Sequence, residues 1–337
     1  MGWRMPKTDV NVGAASVRQV AQRAGVSIAT VSRALNTPEA VAEETRARVL
    51  AIATEMGYKP STLGRNLVTG RSHLIGLIIP NIGSPLYGDM ARGIEDVLQG
   101  TGLQVVLAST RDDSELELQA TADLLNHRVD SGIVINSRAG DSSLLEAHSG
   151  WVYISPESPS FPMRVELDNY AGGRLAVQHL IDLGHRNIVH VAGPLREGKD
   201  RERGWRDELE DNSLSEGVRV LGDYTLESGV HATEEILRQG TPDAIFASGD
   251  LMAVGALRAL RKAGLRVPKD VSLIGFDDAE FASLVQPTLT TVQQPSYLMG
   301  KKAAELVLNH LGGEEPSIVF LHPKIIERDS TAPRSQS

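Results

Sequence analysis

From His73 onward the chain alternates short aliphatic runs with longer amphipathic stretches, and it does so twice in succession. The first set holds LIGLII, a helical stretch from about Leu86, LQVVLAS, a helix near Glu115 to His127, SGIVI and WVYIS. After RVELDN comes the second: a helix near Tyr170 to Leu183, then NIVHVA, VRVL, AIFAS and VSLIGF, separated by helical stretches. Strands that alternate with helices form parallel sheets, because a parallel connection must cross back over the sheet. The pattern predicts two doubly wound lobes, with the helix near Ser296 to Leu311 and the final strands returning across the hinge between them. In such sheets ligands bind outside the carboxyl ends of the strands, so the loops there face one another across a cleft.

The residues at those strand ends have the chemistry of a polyol site. Asn81, Ser84, Leu86 and Tyr87 follow the first strand, Arg201 lies near the start of the helix after NIVHVA, and Asp250 follows AIFAS. Phe276 and Asp277 end VSLIGF, and Gln294 follows TLTTV. Carboxylate and guanidinium grip vicinal hydroxyls through charge-assisted hydrogen bonds, while an aromatic ring covers the apolar face of a sugar. An enzyme is not expected. The chain has no G-x-S-x-G elbow, P-loop lysine motif, H-E-x-x-H pair or G-x-G-x-x-G opening a helix, and its nine histidines are dispersed. His185, His190, His231 and His310 read as surface or packing residues, and neither a metal nor a cofactor is expected.

Composition narrows the class further. With no cysteine, the 337 residues carry no disulfide framework and no thiolate metal site, as suits a reducing compartment. No apolar run approaches the roughly 20 residues of a membrane span, and the N-terminus lacks the apolar stretch of a signal peptide, so a cytoplasmic location is expected. The net charge of −9 is unevenly spread: residues 1–71 hold 10 Lys and Arg against 5 Asp and Glu, leaving 24 against 38 for the remainder. An excess of positive charge at one end suits a polyanionic partner.

The pattern in that basic segment is more specific than its charge. In VRQVAQRAGVSIATVSRAL, Val17, Val20, Ala21 and Ala24 share a helical face, Gly25 interrupts it, and Val31, Ala34 and Leu35 resume it. Two short helices joined by a tight turn result. Gly25 takes the positive φ of the turn, and Ser27 is an N-cap able to accept from the Thr30 N–H. In a helix-turn-helix the start of the second helix enters the major groove. Ile28, Ala29 and Arg33 are therefore placed to meet base edges, and Ser27, Thr30 and Ser32 to meet phosphates. A third helix, Glu43 to Met56, closes a small core with Val49, Ile52, Ala53 and Met56 and ends at Gly57.

The motifs AQRAGVSIATVSRALN, ETRARVLAIATEMGYKP and STLGRNLVTGRS resemble the LacI/GalR family of bacterial transcription regulators, and the resemblance continues to about Glu327. It implies that Asn36, closing the first motif, joins the DNA contacts, and that residues 61–68 form a hinge helix folding on operator DNA. There Leu67 from each subunit would wedge into a minor-groove step, unstacking bases and bending the duplex. Gly64 stands where relatives often have alanine, which weakens that helix by ~1 kcal/mol. Ser84-Pro85-Leu86-Tyr87 occupies the place of the family's Asn-Pro-Phe-Phe, and Arg201, Phe276, Asp277 and Gln294 match effector-contacting positions. Departures from the pattern include Ser155-Pro156-Glu157 in place of Asp-Arg, and Gly249 before Asp250 where asparagine is frequent. With Leu86 replacing an aromatic, the ligand readings run from an unusual saccharide to a sugar acid or phosphate near Arg201, or a purine; a sugar-like effector is the first expectation.

The expected organisation is a disordered tail over 1–15, a helix-turn-helix domain over 16–60, a hinge over 61–72, a two-lobed effector-binding and dimerisation domain over 73–328 of periplasmic-binding-protein-like α/β fold, and a disordered tail over 329–337. The expected function is a sequence-specific regulator, a repressor in the first reading, whose affinity for a pseudo-palindromic double-stranded operator is controlled by the effector. The polar end, RDSTAPRSQS, lacks leucine heptads and points to a homodimer. The competing reading is a sugar receptor of the periplasmic-binding-protein fold with no DNA role, against which the N-terminal helices count.

Overall fold

The computed structural model describes residues 15–36, 38–58, 71–138 and 150–334. The chain divides into two compact units, Met1–Ser72 and His73–Ser337. Residues 1–14 of the tail expected over 1–15, residues 61–70 of the hinge expected over 61–72, with Gly64 and Leu67, and positions 335–337 lie outside the described residues.

In the first unit α1 (Val17–Ala24), α2 (Ile28–Asn36) and α3 (Glu43–Glu55) enclose Val20, Ala21, Ala24, Val31, Ala34, Val49 and Ala53. These are the periodic apolar positions of the sequence. A capping box starts α1, where the Gln19 N–H donates to Ser16 Oγ and the Ser16 N–H to Gln19 Oε1. Gly25, at φ +67°, then turns the chain.

The second unit is built on two sheets. The first has the order β11-β5-β4-β3-β1-β2, formed by β1 (Leu74–Ile79), β2 (Gln104–Ser109), β3 (Ser131–Ile135), β4 (Val152–Ile154), β5 (Arg164–Leu167) and β11 (Ile318–Leu321). The second has the order β12-β10-β9-β8-β6-β7, formed by β6 (Ile188–Ala192), β7 (Arg219–Leu221), β8 (Ala244–Ala247), β9 (Ser272–Asp277), β10 (Thr290–Gln293) and β12 (Lys324–Ile326). All pairings are parallel except β10 with β12. The helices are α4 (Pro85–Leu98), α5 (Ser114–Asn126), α6 (Asn169–Asp182), α7 (Arg196–Asp211), α8 (Leu226–Gln239), α9 (Asp250–Lys262) and α10 (Ser296–Leu311). Their order reproduces the two expected lobes. The central strands β1, β3, β4, β6, β8 and β9 are buried nearly throughout, as strands covered on both faces must be.

The chain passes between the lobes three times: after β5, between β10 and α10, and between β11 and β12. α10 packs on α4 and on strands of the first sheet, although it follows a strand of the second. Among the described residues no helix is long and apolar enough to cross a membrane.

One expected boundary is corrected. Residues 329–334, read from their polarity as a disordered tail, are held along the second sheet. Ser330 is buried; its hydroxyl donates to Leu273 O and accepts from the Thr290 N–H, and its carbonyl accepts from the Leu273 N–H. Arg334 pairs with Asp243 at 3.0 Å, and its N–H donates to Leu183 O. Backbone groups of β9 and β10, a helix end and the Asp243 carboxylate supply the partners, which side-chain polarity could not reveal.

Candidate functional site

The start of α2 in the head is polar and faces solvent. Ser27 Oγ accepts from the Thr30 N–H at 3.1 Å, as its N-cap position requires, and lies 2.9 Å from Thr30 Oγ1. Val31 and Ala34 point into the head core, which turns Ser27, Ile28, Ala29 and Arg33 outward and leaves Thr30 and Ser32 half-buried. Ile28 is 44% exposed. Arg33 makes no ion pair among the described residues, whereas Arg23 is tied to Glu55 at 2.5 Å. Asn36 closes α2, and its side chain lies outside what is described.

In the second unit the strand ends converge on a cleft that opens to solvent, the place where sheets of this kind hold small-molecule ligands. Of the expected residues, Ser84, Leu86, Tyr87, Arg201, Asp277 and Gln294 line it. Arg201 is its buried anchor. Its Nε donates to Asn169 Oδ1 (2.8 Å), Nη1 to Ser248 O (2.6 Å) and Nη2 to Gln294 Oε1 (3.2 Å). The Asp277 carboxylate stands 3.8 Å from Nη1, and the guanidinium lies 3.5 Å over the Phe276 ring. Close packing of α6 on α7 sets this position: a Cβ at Gly173 would lie 2.2 Å from the Arg201 carbonyl oxygen, so no side chain fits there.

Asp277 is held at φ +119°, a region L-residues rarely occupy, and Asp278 follows at +58°. The Arg328 guanidinium at 2.6 Å and the Gln293 amide at 2.7 Å fix the Asp278 carboxylate. Burial pushes the Asp277 carboxyl up to about 6 despite the opposing pull of Arg201. Across the cleft, Tyr87 Oη accepts from Asn136 Nδ2 at 3.2 Å, and burial raises its hydroxyl well above the ordinary range.

Three expected contacts do not line the cleft. Phe276 is fully buried beneath Arg201, so it supports the guanidinium instead of covering a ligand. Asp250 is also fully buried: it accepts from Thr291 Oγ1 (2.7 Å) and the Ala279 N–H (2.9 Å), tying the start of α9 to β10 and the loop after β9. Asn81 is exposed and closes a local turn, its Oδ1 accepting from the Gly83 N–H at 2.8 Å. Residues the sequence reading missed take their places, among them Asp112, Asn136, Arg138, Glu197, Asp223 and Tyr224. Asn136 and Ser155 directly follow buried strands and have φ of +50° and +47°. Applying the strand-end rule to every strand would have found them.

His190 confirms the packing role expected of it. It is sandwiched between the rings of Trp205 and Phe246, at centroid distances of 5.3 and 4.6 Å. Nδ1 lies 3.0 Å from Phe246 O and therefore carries the proton, so Nε2 accepts from Ser248 Oγ at 3.2 Å. Burial lowers its pKa to about 3. Ser248 thus links a neutral core histidine to the carbonyl that anchors Arg201.

Comparison with known proteins agrees with both parts. Residues 16–61 match the family of bacterial regulatory proteins, lacI family, and residues 177–331 match a periplasmic binding protein-like domain. The HTH-type transcriptional repressor PurR of Edwardsiella ictaluri (strain 93-146) is 33% identical over 332 residues, covering 94% of this chain and 97% of the relative. The crystal structure of the lac repressor dimer bound to operator and the anti-inducer ONPF superposes with a TM-score of 0.84 at 29% identity, covering 95% of this chain and 99% of that one. A complex of the transcriptional regulator CelR with cellobiose gives 0.71 at 32% identity, with 94% and 99% covered. A helix-turn-helix head and a two-lobed binding domain, matched over nearly the full length of such relatives, place this chain in the lacI family of bacterial regulatory proteins as a DNA-binding transcriptional regulator.

Proposed function

We propose that the chain acts in the cytoplasm as a homodimeric repressor of a pseudo-palindromic operator, released or retained according to a sugar-like effector held between its lobes. Ser27, Ile28, Ala29, Thr30, Ser32, Arg33 and Asn36 are its DNA contacts in each half-site, with Leu67 as the central wedge. Arg33 holds a guanine bidentately, and Ile28 meets a thymine methyl. Ser84, Leu86, Tyr87, Arg201, Asp277 and Gln294 are the effector contacts. Effector binding changes the closure of the lobes about their three crossovers and so the equilibrium of the hinge on DNA. The observation that carries this reading is that one chain holds both an exposed, capped helix start with apolar and guanidinium side chains and a polar cleft anchored by a buried arginine.

The test is selection of duplexes from a random pool by the purified full-length chain at moderate salt. The expected result is a palindrome with a pyrimidine–purine step at its centre, where a wedge unstacks most easily. Asymmetric sites, or a sedimenting monomer at micromolar concentration that does not pair on DNA, would overturn the dimeric reading.

A further inference from the structure

The cleft is unevenly charged, and its charges are unequally answered. Among the described residues Asp112, Glu197, Asp223 and Asp277 line it against only Arg138 and Arg201. Both guanidiniums already have carboxylates: Arg138 Nη2 pairs with Asp112 at 2.9 Å, and Arg201 faces Asp277 at 3.8 Å. Asp223 accepts from the Thr225 N–H (3.0 Å) and hydroxyl (2.6 Å), which hold it below the ordinary carboxyl range, and among the described residues it has no cationic partner.

Glu197 is the least satisfied of the four. Among the described residues, its half-buried carboxylate forms no hydrogen bond or ion pair with another side chain. Burial pushes it up to about 7, with Glu157 adding to the rise while Arg201 and Arg138 oppose it. Two further groups in the same lining are unmet. Among the described residues the buried Tyr224 hydroxyl has no hydrogen-bond partner; it lies beside Gly193, where a Cβ would be 2.1 Å from it. Arg138 Nε is likewise buried with no acceptor among the described residues. The charge of Arg138 is spent on Asp112, so this N–H calls for a neutral oxygen.

Building on the proposed effector site, we infer that the cleft takes a polyhydroxylated molecule carrying a protonated amine, and that Glu197 is the residue that selects it. The amine supplies the counter-charge that Glu197 lacks, and hydroxyl oxygens satisfy Arg138 Nε and the Tyr224 hydroxyl. A sugar phosphate or sugar acid would bring a like charge to Glu197, Asp223 and Asp277 while finding both arginines occupied. Arg201 therefore does not make this an anion site, despite its prominence in the sequence.

Three matched sets of monosaccharides test the inference: free hexoses and pentoses, their amino sugars and amino alditols, and the corresponding phosphates and uronic acids. Each is added at pH 7 to the full-length chain while thermal unfolding is followed, and binding is then titrated calorimetrically. Stabilisation should come from the amine set, with an amino sugar binding at least about 30-fold more tightly than its neutral parent, the scale on which a buried charge pair contributes. Glu197→Gln should erase that preference without weakening the neutral parent to the same degree. Tightest binding by the neutral or the anionic set would overturn the amine inference and leave the effector site standing. Binding by none of the three would overturn both. A Glu197→Gln chain that does not fold leaves the decision to the ranking of the three sets on the unaltered chain.

Discussion

The DNA-binding head draws its described contact candidates from the single segment Ser27 to Asn36, whereas the cleft draws its lining from loops after nine strands between Ser84 and Gln294. In the head, the direction of each side chain follows from helical periodicity once Val31 and Ala34 are buried. In the cleft, direction depends on where each loop turns after its strand, and two residues in adjacent positions can part company: Asp277 faces the cavity while Phe276 lies under it. A site carried on one element is specified locally. A site assembled from many elements is specified only by their packing.

That contrast can be broken experimentally, and the largest effect should come from Arg201→Ala. Removing a buried cation leaves Asp277 without its counter-charge and three acceptors without a donor, a cost of about 3–5 kcal/mol to the two-lobed unit. The unfolding transition of residues 73–337 should fall steeply while that of the head stays in place. A parallel fall in both transitions would show that the two units unfold as one.

His190 sharpens the same point through pH. Below about pH 6.5 the unfolded chain takes up a proton that folded His190 refuses until about pH 3. Its contribution is complete above about 6.5 and is lost as pH falls across that window, amounting to about 2–3 kcal/mol at pH 4.5. Comparing denaturant unfolding of the natural chain with His190→Phe between pH 7 and pH 4.5 isolates this histidine from the carboxylates that titrate nearby. Parallel pH profiles for the two chains would remove His190 from the account.

Smaller effects are expected in the head. Arg33→Ala should relax selectivity at one base position per half-site by about 1–3 kcal/mol, read by binding to single-base operator variants, with no change in the unfolding of the second unit. An unaltered base preference would displace Arg33 from the recognition role. Ser27→Ala should cost about 1 kcal/mol of head stability through loss of the cap at the Thr30 N–H, measured on the head transition alone. No change there would mean that solvent serves that N–H as well as the hydroxyl does.

Much of the fold is legible in the sequence. The runs LIGLII, SGIVI and AIFAS became β1, β3 and β8 almost residue for residue, since uninterrupted aliphatic stretches flanked by helices have few other places to go. Ser27 and Gly25 did at the turn what their chemistry demands. The C-terminal segment reads as a tail because Ser330 and Arg334 look like surface residues until the starts of β9 and β10, Asp243 and the end of α6 are seen to bind them.

The periodicity of the chain by itself determined the three-helix head, the two α/β lobes, and the level in the sheets at which a ligand site must open, because these depend on hydrophobic spacing and turn chemistry within a few tens of residues. Only the tertiary structure decided that Asp250 serves as a buried tie and Phe276 as a floor, and that Glu197, Arg138 and Tyr224 share one cavity with unmet partners. Those outcomes hang on burial and on contacts between residues far apart in the chain. Whether a carboxylate is paired, protonated or waiting for a ligand is a property of its surroundings and not of its place in a motif.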